Sequence, residues 1–135
     1  GGKKTMHMLN CYLLCKKGRP YAAVGTPGGD RQAQWDVQAI ANLIDFGMDV
    51  QEAVEAPRWV SWPGTDPASI KTPLEIRIED RFDDKVIAEL EGRGHRVSPM
   101  GGWSGGGSLQ IVAREEDGTL LGGCDPRSGG VALGF

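Results

Sequence analysis

The residues placed as chemistry would need them are first of all glycines. The run Gly25-Thr26-Pro27-Gly28-Gly29-Asp30 joins an apolar stretch at residues 21–25 to a segment of helical periodicity. Adjacent glycines leave backbone N–H groups unobstructed by Cβ atoms, and the first turn of a following helix adds unpaired donors and the positive end of its dipole. Such a corner can hold an anion. Acyl transfer requires that feature, because a donor aimed at the developing oxyanion contributes about 2.7–4 kcal/mol. The same two glycines would also serve a plain turn. A phosphate loop does not fit, since the segment has neither the Lys-Ser/Thr pair nor G-x-G-x-x-G spacing.

Other candidates carry less. Gly102-Trp103-Ser104-Gly105-Gly106 matches G-x-S-x-G, but a nucleophile elbow needs a strand before the serine, a helix after it and a downstream histidine. No histidine follows His95, so residues 101–107 read as a mobile or substrate-facing loop. His95 itself reads as a strand-start residue without a base's partner. In Asp125-Pro126-Arg127 the acid and the guanidinium bracket a proline, a pattern that stabilises a tight turn through Asp side-chain bonding and an ion pair. Trp59 and Trp62 suit either a docking surface or a core. Cys11, Cys15 and Cys124 match no zinc spacing and read as buried structural thiols. No metal or cofactor is called for.

The elements that must position these residues follow from periodicity. Residues 9–15 and 21–25 form two apolar runs around Lys16-Lys17-Gly18-Arg19-Pro20, a β-hairpin. Asp30 is the expected N-cap of a helix whose inward face is Trp35, Val37, Ile40, Ala41, Leu43 and Ile44, with Gly47 as terminator. Asp49 and Glu52 have capping-box spacing, and Pro57 ends the helix they start. Residues 59–72 read as an irregular excursion before an alternating strand at 74–78. Asp83 or Asp84 caps a helix carrying Val86, Ile87 and Leu90, followed by a strand around 95–97. Two last strands, 109–113 and 119–123, flank an Asp-Gly hairpin signal. The class is α+β, a mixed or antiparallel sheet with packed helices.

At 135 residues the chain fits a single domain, and its 21 glycines and 8 prolines imply many turns. A formal charge of −3 with scattered Lys and Arg makes nucleic acid an unsuitable partner. No apolar run reaches the roughly 20 residues of a membrane helix. The start, Gly1-Gly2-Lys3-Lys4-Thr5, carries no initiator methionine, so the true N-terminus is expected upstream.

Five blocks, taken in order, resemble the γ-glutamyltranspeptidase family of N-terminal-nucleophile hydrolases. They are Gly25-Thr26-Pro27-Gly28-Gly29-Asp30, Asn42-Leu43-Ile44-Asp45-Phe46-Gly47-Met48, Glu52-Ala53-Val54-Glu55-Ala56-Pro57-Arg58, Gly94-His95-Arg96-Val97, and Asp125-Pro126-Arg127 with a Gly-Phe end. The resemblance corresponds to the C-terminal part of the small subunit. It implies a four-layer αββα sandwich of which residues 1–135 supply one part. It also implies a self-cleaving precursor whose new N-terminal threonine attacks an amide with its own α-amino group as base. By that resemblance Gly28 and Gly29 are the oxyanion pair, and His7-Met8 falls where transpeptidases carry two serines that bind the γ-glutamyl carboxylate. Neither His7 nor Met8 has a hydroxyl, which brings in relatives acting on other amides, cephalosporin-acylase-like or oxamate-amidohydrolase-like. The nucleophile and the acid that pairs with the substrate amino group are expected upstream of Gly1. The implied partners are the large subunit, the upstream part of the small subunit and a small amide or γ-glutamyl substrate. Open strand edges predict self-association in their absence. A non-catalytic binding or assembly domain of the same fold is the alternative.

Overall fold

The computed structural model describes residues 1–4, 8–65 and 68–134. Its first element pair is the expected hairpin, β1 (Tyr12–Lys16) and β2 (Arg19–Gly25). Lys17 and Gly18 both take positive φ, 53° and 75°, the conformation that lets a two-residue turn follow the strand twist. β6 (Gln110–Arg114) pairs with β2, and β7 (Leu120–Cys124) pairs with β6, giving an antiparallel sheet in the order β1-β2-β6-β7. A second sheet has the order β3-β4-β5, from β3 (Trp59–Trp62), β4 (Glu75–Glu79) and β5 (Val97–Met100). In it β3 runs antiparallel to β4, and β5 parallel. The class is α+β as expected, with the strands divided between two sheets.

The core lies under the inner face of the first sheet. Ala22 and Val24 of β2, then Ile111 and Ala113 of β6, alternate inward with period two. Against them pack Ala39 and Leu43 of α1 (Gln32–Ile44) and Val50, Ala53 and Val54 of α2 (Val50–Glu55). α2 sits so close to β7 that a Cβ on Gly123 would fall 2.3 Å from the Val50 carbonyl oxygen. The Asp49 capping box is complete, its carboxylate accepting from Gln51 and Glu52 N–H while Glu52 accepts from the Asp49 N–H. Asp83 caps α3 (Asp84–Gly92), and Gly47 at φ 65° follows the end of α1.

Several local expectations need correction. Asp30 is not the cap of α1: a 3-10 turn, Gly29–Arg31, comes first, and the Asp30 carboxylate accepts instead from the N–H and hydroxyl of Thr65. The buried face of α1 is Gln32, Trp35, Asp36, Ala39 and Leu43, which leaves Val37 and Ile44 exposed. Residues 59–62 form a strand because β4 pairs with them across an intervening loop. β5 begins at Val97, so His95 lies in the turn before it. Cys11, just before β1, is exposed; Cys15 is exposed and Cys124 half-buried because the strands that carry them, β1 and β7, are the sheet's edges. No described helix is long and apolar enough to cross a membrane.

Candidate functional site

The corner between β2 and α1 is fixed by the hydrogen bonds its carbonyls accept. The Pro27 carbonyl accepts from the Thr26 hydroxyl at 3.0 Å, and the Gly28 carbonyl accepts from Arg31 N–H at 3.2 Å. In a trans peptide the N–H points opposite the carbonyl it shares a plane with. The Gly28 N–H therefore points away from the Thr26 hydroxyl, and the Gly29 N–H away from the Arg31 N–H. Among the described residues neither N–H has an acceptor. Gly28 is exposed and Gly29 half-buried.

Close packing explains the glycines. A Cβ on Gly28 would lie 2.1 Å from Cζ3 of Trp35, and one on Gly107 would lie 2.7 Å from the Thr26 hydroxyl and 2.9 Å from the same indole. Trp35 is almost fully buried and is bounded by Gly28, Gly106 and Gly107. Its Nε1 has no partner among the described residues. Gly29 holds φ 60°, a left-handed value that a side chain would oppose. The segment that precedes β1 reaches the same place, since a Cβ on Gly29 would come 4.0 Å from the Met8 methyl. The structure thus brings Met8 beside the glycine pair. His7 lies outside the described residues.

A buried ionic cluster stands behind the corner. Glu79, at the end of β4 and 0% exposed, accepts from Arg127 Nε (2.7 Å) and Nη2 (2.6 Å), Arg81 Nη2 (2.6 Å), Gly105 N–H (2.8 Å) and Arg58 N–H (3.1 Å). Burial acts to raise the Glu79 pKa, but the bonds from Arg127, Gly105 and Arg81 outweigh it and hold the carboxyl below its ordinary range. Asp125, also 0% exposed, pairs with Arg58 at 2.5 Å and Arg127 at 3.1 Å, and accepts the Leu109 and Arg127 N–H groups. The turn role expected of Asp125-Pro126-Arg127 is present, within a larger network. Arg58 Nη1 reaches the Gly106 carbonyl at 2.9 Å, and Arg81 bonds the Gly102 carbonyl while stacking 3.6 Å from the Trp103 ring. Residues 101–107, expected to be a mobile or substrate-facing loop, are bonded at Gly102, Gly105 and Gly106. Ser104 is exposed and has no helix after it, so the elbow geometry is absent.

Arg58, Glu79 and Arg81 were not singled out as site residues from sequence. One signal was available: Arg58 and Arg127 each follow a proline directly, in Ala56-Pro57-Arg58 and Asp125-Pro126-Arg127. A third buried carboxyl, Asp36 on α1, accepts from Asn10 Nδ2 at 3.0 Å through one oxygen, while its other oxygen has no partner among the described residues. Burial pushes its pKa up to about 6, against a smaller lowering by Asn10. Trp62 lies between the guanidinium groups of Arg31 (4.7 Å) and Arg77 (3.9 Å), and Trp59 is partly exposed. No group of acids, histidines and cysteines among the described residues is arranged to hold a metal ion.

Known proteins resemble this chain in sequence and in fold. The sequence profile described as gamma-glutamyltranspeptidase matches residues 1–135. A Bacillus subtilis (strain 168) protein named glutathione hydrolase-like YwrD proenzyme is 38% identical over 134 residues, covering 98% of this chain and 25% of that protein. A Klebsiella pneumoniae protein named oxamate amidohydrolase proenzyme is 32% identical over 138 residues, covering 99% of this chain and 25% of its own length. The γ-glutamyltranspeptidase of Pseudomonas nitroreducens, solved in complex with L-DON, superposes with a TM-score of 0.77 over 99% of this chain and 65% of that one. Its 24% identity makes that likeness one of fold. The chain spans about a quarter of the length of these two curated relatives.

Proposed function

This chain belongs to the γ-glutamyltranspeptidase family, an enzyme family of Ntn-hydrolase fold, and we propose that it is the C-terminal part of the small subunit of an autoprocessing amide hydrolase. In this reading an N-terminal threonine, borne by the polypeptide upstream of Gly1, attacks the carbonyl carbon of an amide. The threonine hydroxyl proton passes to its own α-amino group, and the carbonyl electron pair moves onto oxygen. Gly28 and Gly29 N–H donate to that oxyanion. Collapse of the intermediate expels the amine, which takes the proton, and leaves an ester to threonine; water or an acceptor amine then resolves the ester.

The observation that supports this reading is the adjacent pair of glycine N–H groups without acceptors among the described residues. Two such donors at about 2.7–4 kcal/mol each would supply a large share of the barrier reduction. Met8 beside Gly29 favours a non-glutamyl amide over a γ-glutamyl one, because a thioether offers a carboxylate no donor. Releasing the acyl group by hydrolysis or passing it to an acceptor uses the same corner.

The full-length polypeptide containing this segment tests the proposal. Mass spectrometry of the purified protein should find a small subunit that begins with threonine and includes residues 1–135. Aryl-amide turnover should accompany it, faster on a neutral acyl anilide than on a γ-glutamyl anilide. An unprocessed protein that turns over no amide would instead mark a binding or assembly domain that kept the fold.

A further inference from the structure

Gln32, the first residue of α1, is buried at 4% exposure although its side chain is polar. Its amide joins three backbone groups: Nε2 donates to the Met8 carbonyl and, at 3.0 Å, to the Gly29 carbonyl, while Oε1 accepts from Asn10 N–H at 3.1 Å. Both donors and one acceptor of the side chain are thereby used. Met8 and Asn10 lie 24 and 22 positions away in sequence, so Gln32 ties a distant segment to the glycine corner. The Gly29 carbonyl also accepts the Gln32 backbone N–H, which doubles its hold on that peptide. Neighbouring bonds run the same way, from Asn10 to the Asp36 carboxylate and from the Tyr12 hydroxyl to the Asp36 carbonyl.

We infer that Gln32 is a positioning residue that sets the distance and angle between the Met8 segment and the Gly28-Gly29 donors. The inference rests on the reading of that corner proposed above. A substrate held between these two walls keeps its carbonyl on the donors only while Gln32 holds the walls together. Losing the clamp leaves every donor in place but misaims it, and a misplacement of about 1 Å costs on the order of 100-fold in rate.

The test uses the full-length proenzyme and its aryl-amide assay. In Q32E the isosteric carboxylate still accepts from Asn10 N–H but turns an oxygen against the Met8 and Gly29 carbonyls. Protonation at low pH restores one donor. The ratio of kcat/KM for Q32E to wild type should fall roughly 10- to 100-fold at pH 8 and recover as the pH drops through titration of the new carboxyl. Q32L should stay low at every pH, and hydrogen exchange at residues 8–10 should quicken in both variants. If Q32L does not accumulate folded, the pH-dependent ratio of Q32E decides alone. A Q32E ratio near one throughout, or a loss that ignores pH, overturns the inference. Gly28→Ala is the separate control on the corner: its inactivity beside a normal Q32E would sink the clamp and leave the corner standing. Absence of any amide turnover in the wild-type proenzyme would sink the corner, and the exchange rates at residues 8–10 would then decide whether Gln32 clamps.

Discussion

Replacing Glu79 by Gln changes one heavy atom of a side chain that is 0% exposed. The carboxylate accepts five N–H donors through two oxygens, from Arg58, Arg81, Gly105 and the fork of Arg127. An amide keeps one oxygen and sets two hydrogens against N–H donors, so at least two charge-assisted bonds are lost, each worth about 1.5–3 kcal/mol. The cluster also changes from three guanidinium groups against two carboxylates to three against one. Arg127 at 1% exposure cannot swing its charge into water, whereas Arg81 at 25% can relax outward. Breaking a buried pair from one side costs about 3–5 kcal/mol, and that is the loss expected in urea unfolding of the proenzyme at neutral pH. Because the folded carboxyl sits below its ordinary 4.5, its stabilisation is complete above that pH and is lost as the pH falls through the folded value. The gap between wild type and E79Q should therefore narrow on acidification below about pH 4.5. A neutral-pH loss under about 1 kcal/mol, or a gap indifferent to acid, would refute the claim that Glu79 organises the cluster as an anion.

Gly28→Ala must displace the Trp35 ring, 2.1 Å from the added carbon, or shift the corner; the N–H remains but is turned off its target, and kcat in the amide assay should fall by up to roughly 100- to 1000-fold, the effect of disabling one oxyanion donor. Asp36→Asn should stabilise the protein above pH 6 by up to roughly 3 kcal/mol, at about 1.36 kcal/mol per pKa unit, because its carboxyl rises from 3.8 to about 6 and its charge is disfavoured when folded. Native stability then falls as the pH rises through that window, so thermal melts of variant and parent should converge below pH 4. Asp49→Ala removes both acceptor bonds at the start of α2 and should cost about 1 kcal/mol in denaturant unfolding, with no change in the slope.

What the sequence disclosed were the features closed within a few residues. The Asp49-Glu52 box, the Lys17-Gly18 turn and the stop at Gly47 each depend on neighbours three or four positions away, and each is present. Other features depend on remote partners. β3 exists because Val60 pairs with Arg77 and Ser61 with Ile76, across a segment dense in turn-forming residues, and no local pattern announces that pairing. Asp30 has the composition of a cap, yet Thr65 offers its carboxylate two donors from 35 positions away. Cysteine burial failed for a topological reason: an apolar run on an edge strand looks the same in sequence as one in the middle of a sheet. At the candidate site the strand-to-helix corner that holds Gly28 and Gly29 was legible from residue type and spacing. Glu79 was not, because an alternating strand gives no sign that its last carboxylate meets an arginine 48 residues later.

The ionic cluster answers a need created by α2. A six-residue helix ends with carbonyls that lack intrahelical donors, and here they face the protein interior. Val54 O accepts from Arg58 and Arg127, Glu55 O from Arg81, and Ala56 O from Arg127. Three guanidinium groups thus cap the negative end of α2, and Glu79 and Asp125 offset the charge that this capping concentrates. The same groups hold residues 101–107, because Gly105 N–H reaches Glu79 and the Gly106 carbonyl reaches Arg58. Gly106 and Gly107 then pack on Trp35, and Trp35 on Gly28. An apolar filling would pack the cavity at lower desolvation cost, but it would leave the α2 carbonyls unpaired and the glycine loop untied. The charges persist at this corner because backbone groups from α2, the loop and the C-terminal turn must all be satisfied at one point, linked through Gly106, Gly107 and Trp35 to Gly28.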